Sequence, residues 1–306
     1  MIETVFQNLN WGEMELAKHE IDTARLDAEV LLAYTLVTSR IDLHLNKDKV
    51  LSADEKQKFI SYIKRRQKRE PVAYIVGAKE FWSIRLKVTP DVLVPRPETE
   101  GIVEQALAVI ARSEATKQSQ GHNEIATPAT KLWRARNDDL NILDLCTGSG
   151  CVAAALATEM PHAKITVADI SPEAIGIAKQ NLAFAGDRIE FFTGDLFDAL
   201  RESRKFDLIT ANPPYVADND FKGLDEDIRR YEPREALLAG PDGLAISKRI
   251  IQDAPKYLKA GGSLLMEIGI GQANALIEIT KFTGQYKKIE VIKDYSGIDR
   301  ILWTNS

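Results

Sequence analysis

Over roughly the first seventy residues, apolar side chains recur with the three-to-four-residue spacing of a helix. In "TARLDAEVLLAYTL", Ala28, Leu31, Leu32 and Thr35 share one face. "SADE" places Ser52 and Glu55 in capping-box register, and the helix that follows carries Phe59, Ile60 and Ile63. That helix runs into "KRRQKRE" before Pro71. The basic run reads as a solvated helix end set against the C-terminal dipole, with a docking patch for an acidic or RNA-associated partner as the alternative.

At Pro71 the period changes. "PVAYIVGAKEFWSIRLKVT" alternates around Gly77 and predicts two strands in a hairpin that joins two domains. "VLVPRPETE" leads into a helix from Gly101 to about Arg112. Ser113 to Asp139 is rich in Ser, Thr, Gln and Ala and aperiodic, which predicts a surface insertion. From Leu140, short apolar runs alternate with helical stretches. The strands expected are "NILDLC", "KITVADI", "IEFFTG", "FDLITAN", "GSLLMEIG", "KIEVIKD" and "RILWTN". The helices expected are Cys151–Glu159, Pro172–Ala185, Leu244–Leu258 and Gly271–Phe282. This order predicts an α/β fold with a doubly wound, mostly parallel sheet. Only "YSGID" separates the last two strands, so they should pair antiparallel at one edge.

The composition narrows the class. The chain has 306 residues, 44% hydrophobic and 28% charged, with a net charge of −5. That balance is globular and disfavours a protein that tracks nucleic-acid phosphates over a long surface. The two cysteines, Cys146 and Cys151, share one Gly-rich loop, which excludes a disulfide framework and suits a reducing cytoplasm. The N-terminus lacks a basic stretch followed by an apolar one, and no apolar run reaches membrane-spanning length. The four histidines are scattered without metal-ligand spacing, so no metal is expected.

Candidate chemistry gathers at two places. "DLCTGSGC", Asp144 to Cys151, follows the first strand of the α/β unit and opens a helix, where open sheets bind ligands. Asp169 ends the second strand and is suited to accept the hydroxyls of a ribose; Asp195 ends the third, within reach of an adenine amino group. A dinucleotide would want G-x-G-x-x-G, yet Gly148-x-Gly150 is followed by no third glycine, and Asp144 would repel a pyrophosphate. S-adenosylmethionine (SAM), cationic and free of phosphate, fits better. The second place is "NPPY" at the end of the fourth strand. Pro213 and Pro214 lack backbone donors, which leaves the carbonyls of Asn212 and Pro213 and the Asn212 side chain as acceptors for a planar –NH2 group. Tyr215 is placed to stack on that plane. With no strong base in the motif, catalysis by positioning is expected, the proton leaving after methyl transfer.

These residues, together with "LDAEVLLAY", "REPVAYIVGAKEFW", "VLVPRPETE" and "YEPREALLAGPDGL", make the chain resemble the SAM-dependent protein-glutamine N5-methyltransferases of class I peptide chain release factors, the PrmC/HemK family. The resemblance covers nearly the whole chain. It implies a class I methyltransferase Rossmann-like sheet and an N-terminal helical bundle joined to it by a β-hairpin. The domains would be a helical substrate-recognition domain over 1–70, a hairpin linker over 71–95 and a methyltransferase domain over 96–306, with an insertion at 113–139. It implies that Cys146, Thr147, Gly148, Ser149, Gly150, Asp169, Asp195 and Asn212 contact SAM, with Leu196 beside the adenine, and that Asn212, Pro213, Pro214 and Tyr215 bind the glutamine of a Gly-Gly-Gln loop. Cys146 stands where the family usually has glycine. Arg96 and Glu98 would form a supporting shell, and Tyr231, Glu232 and Pro233 would help close the pocket. The expected partner is a release factor, without a membrane or a direct nucleic-acid substrate. Adenine-N6 methylation of nucleic acid is the alternative, since those enzymes share NPPY, and a non-catalytic SAM-binding protein is the third reading.

Overall fold

The computed structural model describes residues 3–119, 140–201 and 203–306, and residues 120–139 of the expected insertion lie outside them. By contacts the chain forms two compact units, one from its start to Ala78 with Leu224–Glu232, the other Lys79–Gly223 with Pro233–Ser306.

The first unit is helical: α1 Val5–Ala17, α2 Ala24–Leu36, α3 Arg40–Leu45, α4 Ala53–Gln67, α5 Val72–Val76 and α9 Glu226–Tyr231. The Ser52–Glu55 capping box forms, the Ser52 hydroxyl accepting from the Glu55 N–H and the Glu55 carboxylate from the Ser52 N–H. The α2 face carrying Ala28, Leu31, Leu32 and Thr35 is buried, its apolar members packing on Phe59 and Ile63 of α4. Two expectations change. Val72–Val76 is a helix rather than a strand, since Pro71 sets its entry and five apolar residues carry no period to decide between the two. Nor is the basic run wholly solvated: Arg66 is buried, donating to Asp27 of α2 at 2.7 Å and to Asp227 of α9. Tyr231 of α9 donates to the Lys68 carbonyl at 2.8 Å. These contacts draw 224–232 into the helical unit.

From Lys79 on, the second unit holds the hairpin of β1 Ala78–Phe81 and β2 Ile84–Lys87. Its two turn residues, Trp82 and Ser83, have φ of 52° and 57°, the signs of a type I′ turn. Trp82 is held by its N–H on Glu100 and its indole N–H on Glu159. Helix α6, Glu100–Ser119, extends beyond the expected end near Arg112 into the segment read as an insertion. There follow β3 Asn141–Leu145, α7 Cys151–Glu159, β4 Lys164–Asp169, α8 Pro172–Asn181, β5 Ile189–Thr193, β6 Phe206–Ala211, α10 Ala245–Asp253, β7 Leu258–Glu267, α11 Ala273–Thr283, β8 Lys288–Lys293 and β9 Asp299–Asn305. Helix α10 is shorter than its apolar pattern suggested because Pro255 forces a 3-10 turn before β7.

The strands form one sheet in the order β5-β4-β3-β6-β7-β9-β8, parallel from β5 to β7, with β9 antiparallel to both neighbours. Alternation along each strand feeds two cores. Ile142, Ile165, Val167 and Leu208 pack with α6, α7 and α8, whereas Leu143, Leu145, Ile209 and Met266 pack with α10 and α11. Strand order reverses at β3, where β4 and β6 lie on opposite sides. Register then sets what meets at the carboxyl ends. Leu145 pairs with Ala168 and Ala211, and Ala211 with Met266, so Cys146, Asp169, Asn212 and Glu267 all emerge together.

Candidate active site

The loop after β3 is strapped by carboxylates. Asp144, 2% exposed, accepts from the Thr147 hydroxyl at 2.6 Å and the Thr210 hydroxyl at 2.8 Å. Burial pushes its carboxyl up to about 6, against the pull of those two hydroxyls. Asp169 accepts from the Gly148 N–H at 2.8 Å and the Ser171 N–H at 3.0 Å, joining the loops that follow β3 and β4. Burial raises its pKa too, opposed by those backbone donors. Cys146 has φ of 54° and Leu196 has 52°, a left-handed backbone that costs a residue with Cβ about 1–2 kcal/mol. A glycine at 146 would adopt that conformation without the penalty, and strained residues of this kind cluster at functional sites. Asp195 meets an unforeseen partner: Arg249 of α10 donates to both of its oxygens, at 3.1 and 2.9 Å.

The corner after β6 is braced from behind. The Tyr215 carbonyl accepts from Gln272 Nε2 at 2.9 Å, which also donates to the Gly243 carbonyl, while Gln272 Oε1 accepts from the Gly269 N–H. Val216 and Asp218 donate N–H bonds to the Leu237 and Gly240 carbonyls, tying the corner to the "LLAG" stretch. Gly243, at φ 69°, lies so close that a Cβ there would sit 2.5 Å from the Tyr215 carbonyl oxygen. The Asn212 side chain donates through Nδ2 to Thr99 Oγ1 at 3.1 Å, and the Thr99 hydroxyl donates to Glu267 Oε2 at 2.8 Å. The Tyr215 hydroxyl reaches Glu267 Oε1 at 3.4 Å. Burial and the neighbouring Glu267 carboxylate push the Tyr215 phenol up to about 12.

Loop and corner share a cavity of about 830 Å³ within the second unit. Of the residues singled out from sequence, Cys146, Thr147, Gly148, Ser149, Asp169, Asp195, Leu196, Asn212 and Pro214 line it. Gly150, Pro213 and Tyr215 do not; Gly150 instead packs against Ala178 of α8, and the Tyr215 side chain points to Glu267. Of the anticipated outer residues, Arg96 and Pro233 line the wall, whereas Glu98 is exposed and Tyr231 belongs to the helical unit. Thr99 and Ile170, also on the wall, were not anticipated, nor were Glu267, Gln272 and Arg249 behind it. Only "PRPETE" carried a signal, and that motif placed the support on Arg96 and Glu98 rather than on Thr99. Six carboxylate residues line the wall against two arginines, so the field favours a cationic or zwitterionic ligand over a polyphosphate.

Comparison with known proteins bears on the whole chain. Residues 7–77 match the family model described as the PrmC N-terminal domain, and residues 129–227 the methyltransferase small domain. The chain is 38% identical over 301 residues to the release factor glutamine methyltransferase of Geobacter sulfurreducens, covering 98% of this chain and 96% of that one. It is 41% identical over 281 residues to the release factor glutamine methyltransferase of Coxiella burnetii, covering 92% and 91%. Among solved structures, the hMettl16 catalytic domain in complex with MAT2A 3'UTR hairpin 6 shares the fold, with a TM-score of 0.53 at 14% identity over 84% of each chain. Identity of this order, sustained across nearly the full length of both relatives, decides the matter: the chain belongs to the release factor glutamine methyltransferase family.

Proposed function

We propose that the chain transfers a methyl group from SAM to the side-chain amide nitrogen of the glutamine in the Gly-Gly-Gln loop of a class I release factor. The observation that carries this reading is the meeting of Asn212 and the loop residues Cys146, Thr147, Gly148 and Ser149 on one acid-lined wall, in a chain of this family. The residues present fit SAM. Where a Cβ on Gly148 would stand there is no atom within 4 Å, so a ligand has open access to the backbone. Asp169 spends two acceptor sites on backbone N–H groups and keeps others for ribose hydroxyls. When bound, SAM supplies an electrophilic methyl on a sulfonium.

The chain's own contribution is to bind and orient. Asn212 gives its Nδ2 to Thr99, which leaves Oδ1 to accept one hydrogen of the substrate amide. The Pro213 carbonyl, in the peptide joining Pro213 to the cavity-lining Pro214, takes no backbone hydrogen bond among the described residues and is the acceptor for the other hydrogen. Holding both hydrogens fixes the amide plane and stabilises positive charge as it grows on nitrogen. The cavity walls supply no thiolate, because burial pushes Cys151 up to about 12 and Cys146 well above its ordinary value. Turnover therefore rests on positioning, with proton loss after transfer. The helical residues 1–70 serve to recognise the factor.

The test is incubation with labelled SAM and a purified release factor, wild type or with the loop glutamine replaced. Label on the wild-type factor alone is expected; label on DNA or RNA and none on the factor would overturn the reading. Within the reaction, Asn212→Ala should lose most turnover while keeping SAM affinity. Asp169→Ala should weaken SAM about 10-fold or more, the scale of a hydrogen bond to a charged group.

A further inference from the structure

An asparagine amide presents a donor edge and an acceptor edge of nearly equal shape, and only one of them suits a substrate –NH2. If Asn212 turned Nδ2 toward that group, two donors would face each other. The structure holds a device that decides the matter. Thr99 Oγ1 lies 3.1 Å from Asn212 Nδ2, and Glu267 Oε2 lies 2.8 Å from the same hydroxyl. A hydroxyl has one proton, and an ionised carboxylate has none to give. Because the intact Thr99 hydroxyl donates its one hydrogen to Glu267 Oε2, it offers Asn212 only lone pairs, and Asn212 must answer with its NH2.

We propose that Glu267 and Thr99 are positioning residues that lock the Asn212 amide with its carbonyl oxygen toward the substrate, the carboxylate setting the polarity of the chain. The inference rests on the reading of Asn212 as the acceptor for the glutamine amide. Both residues are 2% exposed, so water does not compete for the bonds. Register makes the arrangement compulsory: Ala211 pairs with Met266, which brings the next residue of each strand, Asn212 and Glu267, side by side. Thr99 reaches them from the 3-10 turn Pro97–Thr99 that precedes α6. Burial raises the Glu267 pKa and Glu98 adds to that, while the Thr99 hydroxyl, the Arg300 guanidinium and the Tyr215 hydroxyl favour the ionised form. A hydrogen-bond chain ending in a carboxylate also polarises its far end, strengthening Oδ1 as an acceptor as charge develops on the substrate nitrogen.

The experiment compares wild type, Thr99→Val, Thr99→Ser, Glu267→Gln, Asn212→Ala and the Thr99→Val/Asn212→Ala double variant. Methyl transfer to a release factor gives kcat and KM, and calorimetry gives SAM affinity. Thr99→Val should lower kcat about 10- to 100-fold, the scale of losing one oriented polar group, with SAM affinity within about 2-fold of wild type. Thr99→Ser should restore kcat. In the double variant Thr99→Val should add no loss to that of Asn212→Ala, because residues acting through one another are not additive. Glu267→Gln can turn an amide donor toward Thr99 and should lower kcat likewise; it decides the question if Thr99→Val does not fold. The Asn212 side-chain amide resonance, read without substrate, should move in Thr99→Val and return in Thr99→Ser. Native kcat in Thr99→Val or, where that variant does not fold, in Glu267→Gln would overturn the proposal, as would losses that multiply in the double variant. If wild type labels no release factor, the functional reading itself fails; if wild type and Asn212→Ala behave as read and Thr99→Val does not, only this inference fails.

Discussion

Replacing Gly243 by alanine should damage the Asn212–Tyr215 corner from 28 residues away in sequence. A Cβ there would lie 2.5 Å from the Tyr215 carbonyl oxygen, 2.8 Å from Gln272 Nε2 and 3.1 Å from the Ala217 nitrogen. Two of these are backbone atoms, which cannot swing aside as a side-chain tip would. The backbone at φ 69° costs alanine about 1–2 kcal/mol. Overpacking adds about 1–3 kcal/mol. Displacing Gln272 from its bond to the corner adds about 1 kcal/mol. A loss of about 3–6 kcal/mol in a unit of this size lowers Tm by roughly 6–24 °C. The assay is a thermal scan of the variant, paired with turnover measured well below its Tm. Turnover should fall even there, because Tyr215 and the carbonyl next to it are displaced. Gly148→Ala is the control: its φ is 54° but a Cβ meets nothing within 4 Å, so Tm should drop by a few degrees while SAM binding weakens as the methyl enters the cavity. A Gly243→Ala protein with Tm within about 2 °C of wild type and native turnover would refute the view that 240–243 braces the corner.

Further outcomes follow from the electrostatics of each unit. Asp144 titrates at about 6 in the fold against about 3.9 unfolded, so between those values the native state holds a proton the unfolded chain has lost. Its contribution to stability therefore rises as pH falls through 6, and urea unfolding of Asp144→Asn against wild type should show a stability difference that shifts toward wild type over that window. A difference independent of pH would contradict the assignment. Arg66→Ala leaves Asp27 and Asp227 without their shared cation and should destabilise the helical unit by about 3–5 kcal/mol, read as faster hydrogen exchange in α2 and α4. Unchanged exchange there would show that the buried pair contributes nothing.

Much of the sheet was legible in the sequence, since strands buried on both faces read as continuous apolar runs and prolines and glycines punctuate them. The loop and the corner were legible for a similar reason: each is a local pattern, complete within a few residues. What escaped is long-range. Glu267, Gln272 and Arg249 matter through what the register and the α10 packing bring to them, and nothing local in "MEIG" or "ISKRI" announces that. Arg66 looked like one more cation in a basic run, although its partners lie 39 and 161 residues away. Asp195 emerged where expected, at the end of β5, but its carboxylate is shared with an arginine that the strand pattern could not supply. Val72–Val76 shows the converse limit, a run too short for periodicity to choose its own geometry.

The most direct measurement of the central claim is the position of the transferred methyl. A release factor is methylated by the wild-type chain with SAM, digested, and fragmented in a mass spectrometer. A single added methyl is expected on the side-chain amide nitrogen of the glutamine in the Gly-Gly-Gln loop, largely lost when Asn212→Ala replaces wild type. A methyl on any other residue, or an unmodified factor beside methylated adenine in added nucleic acid, would contradict it.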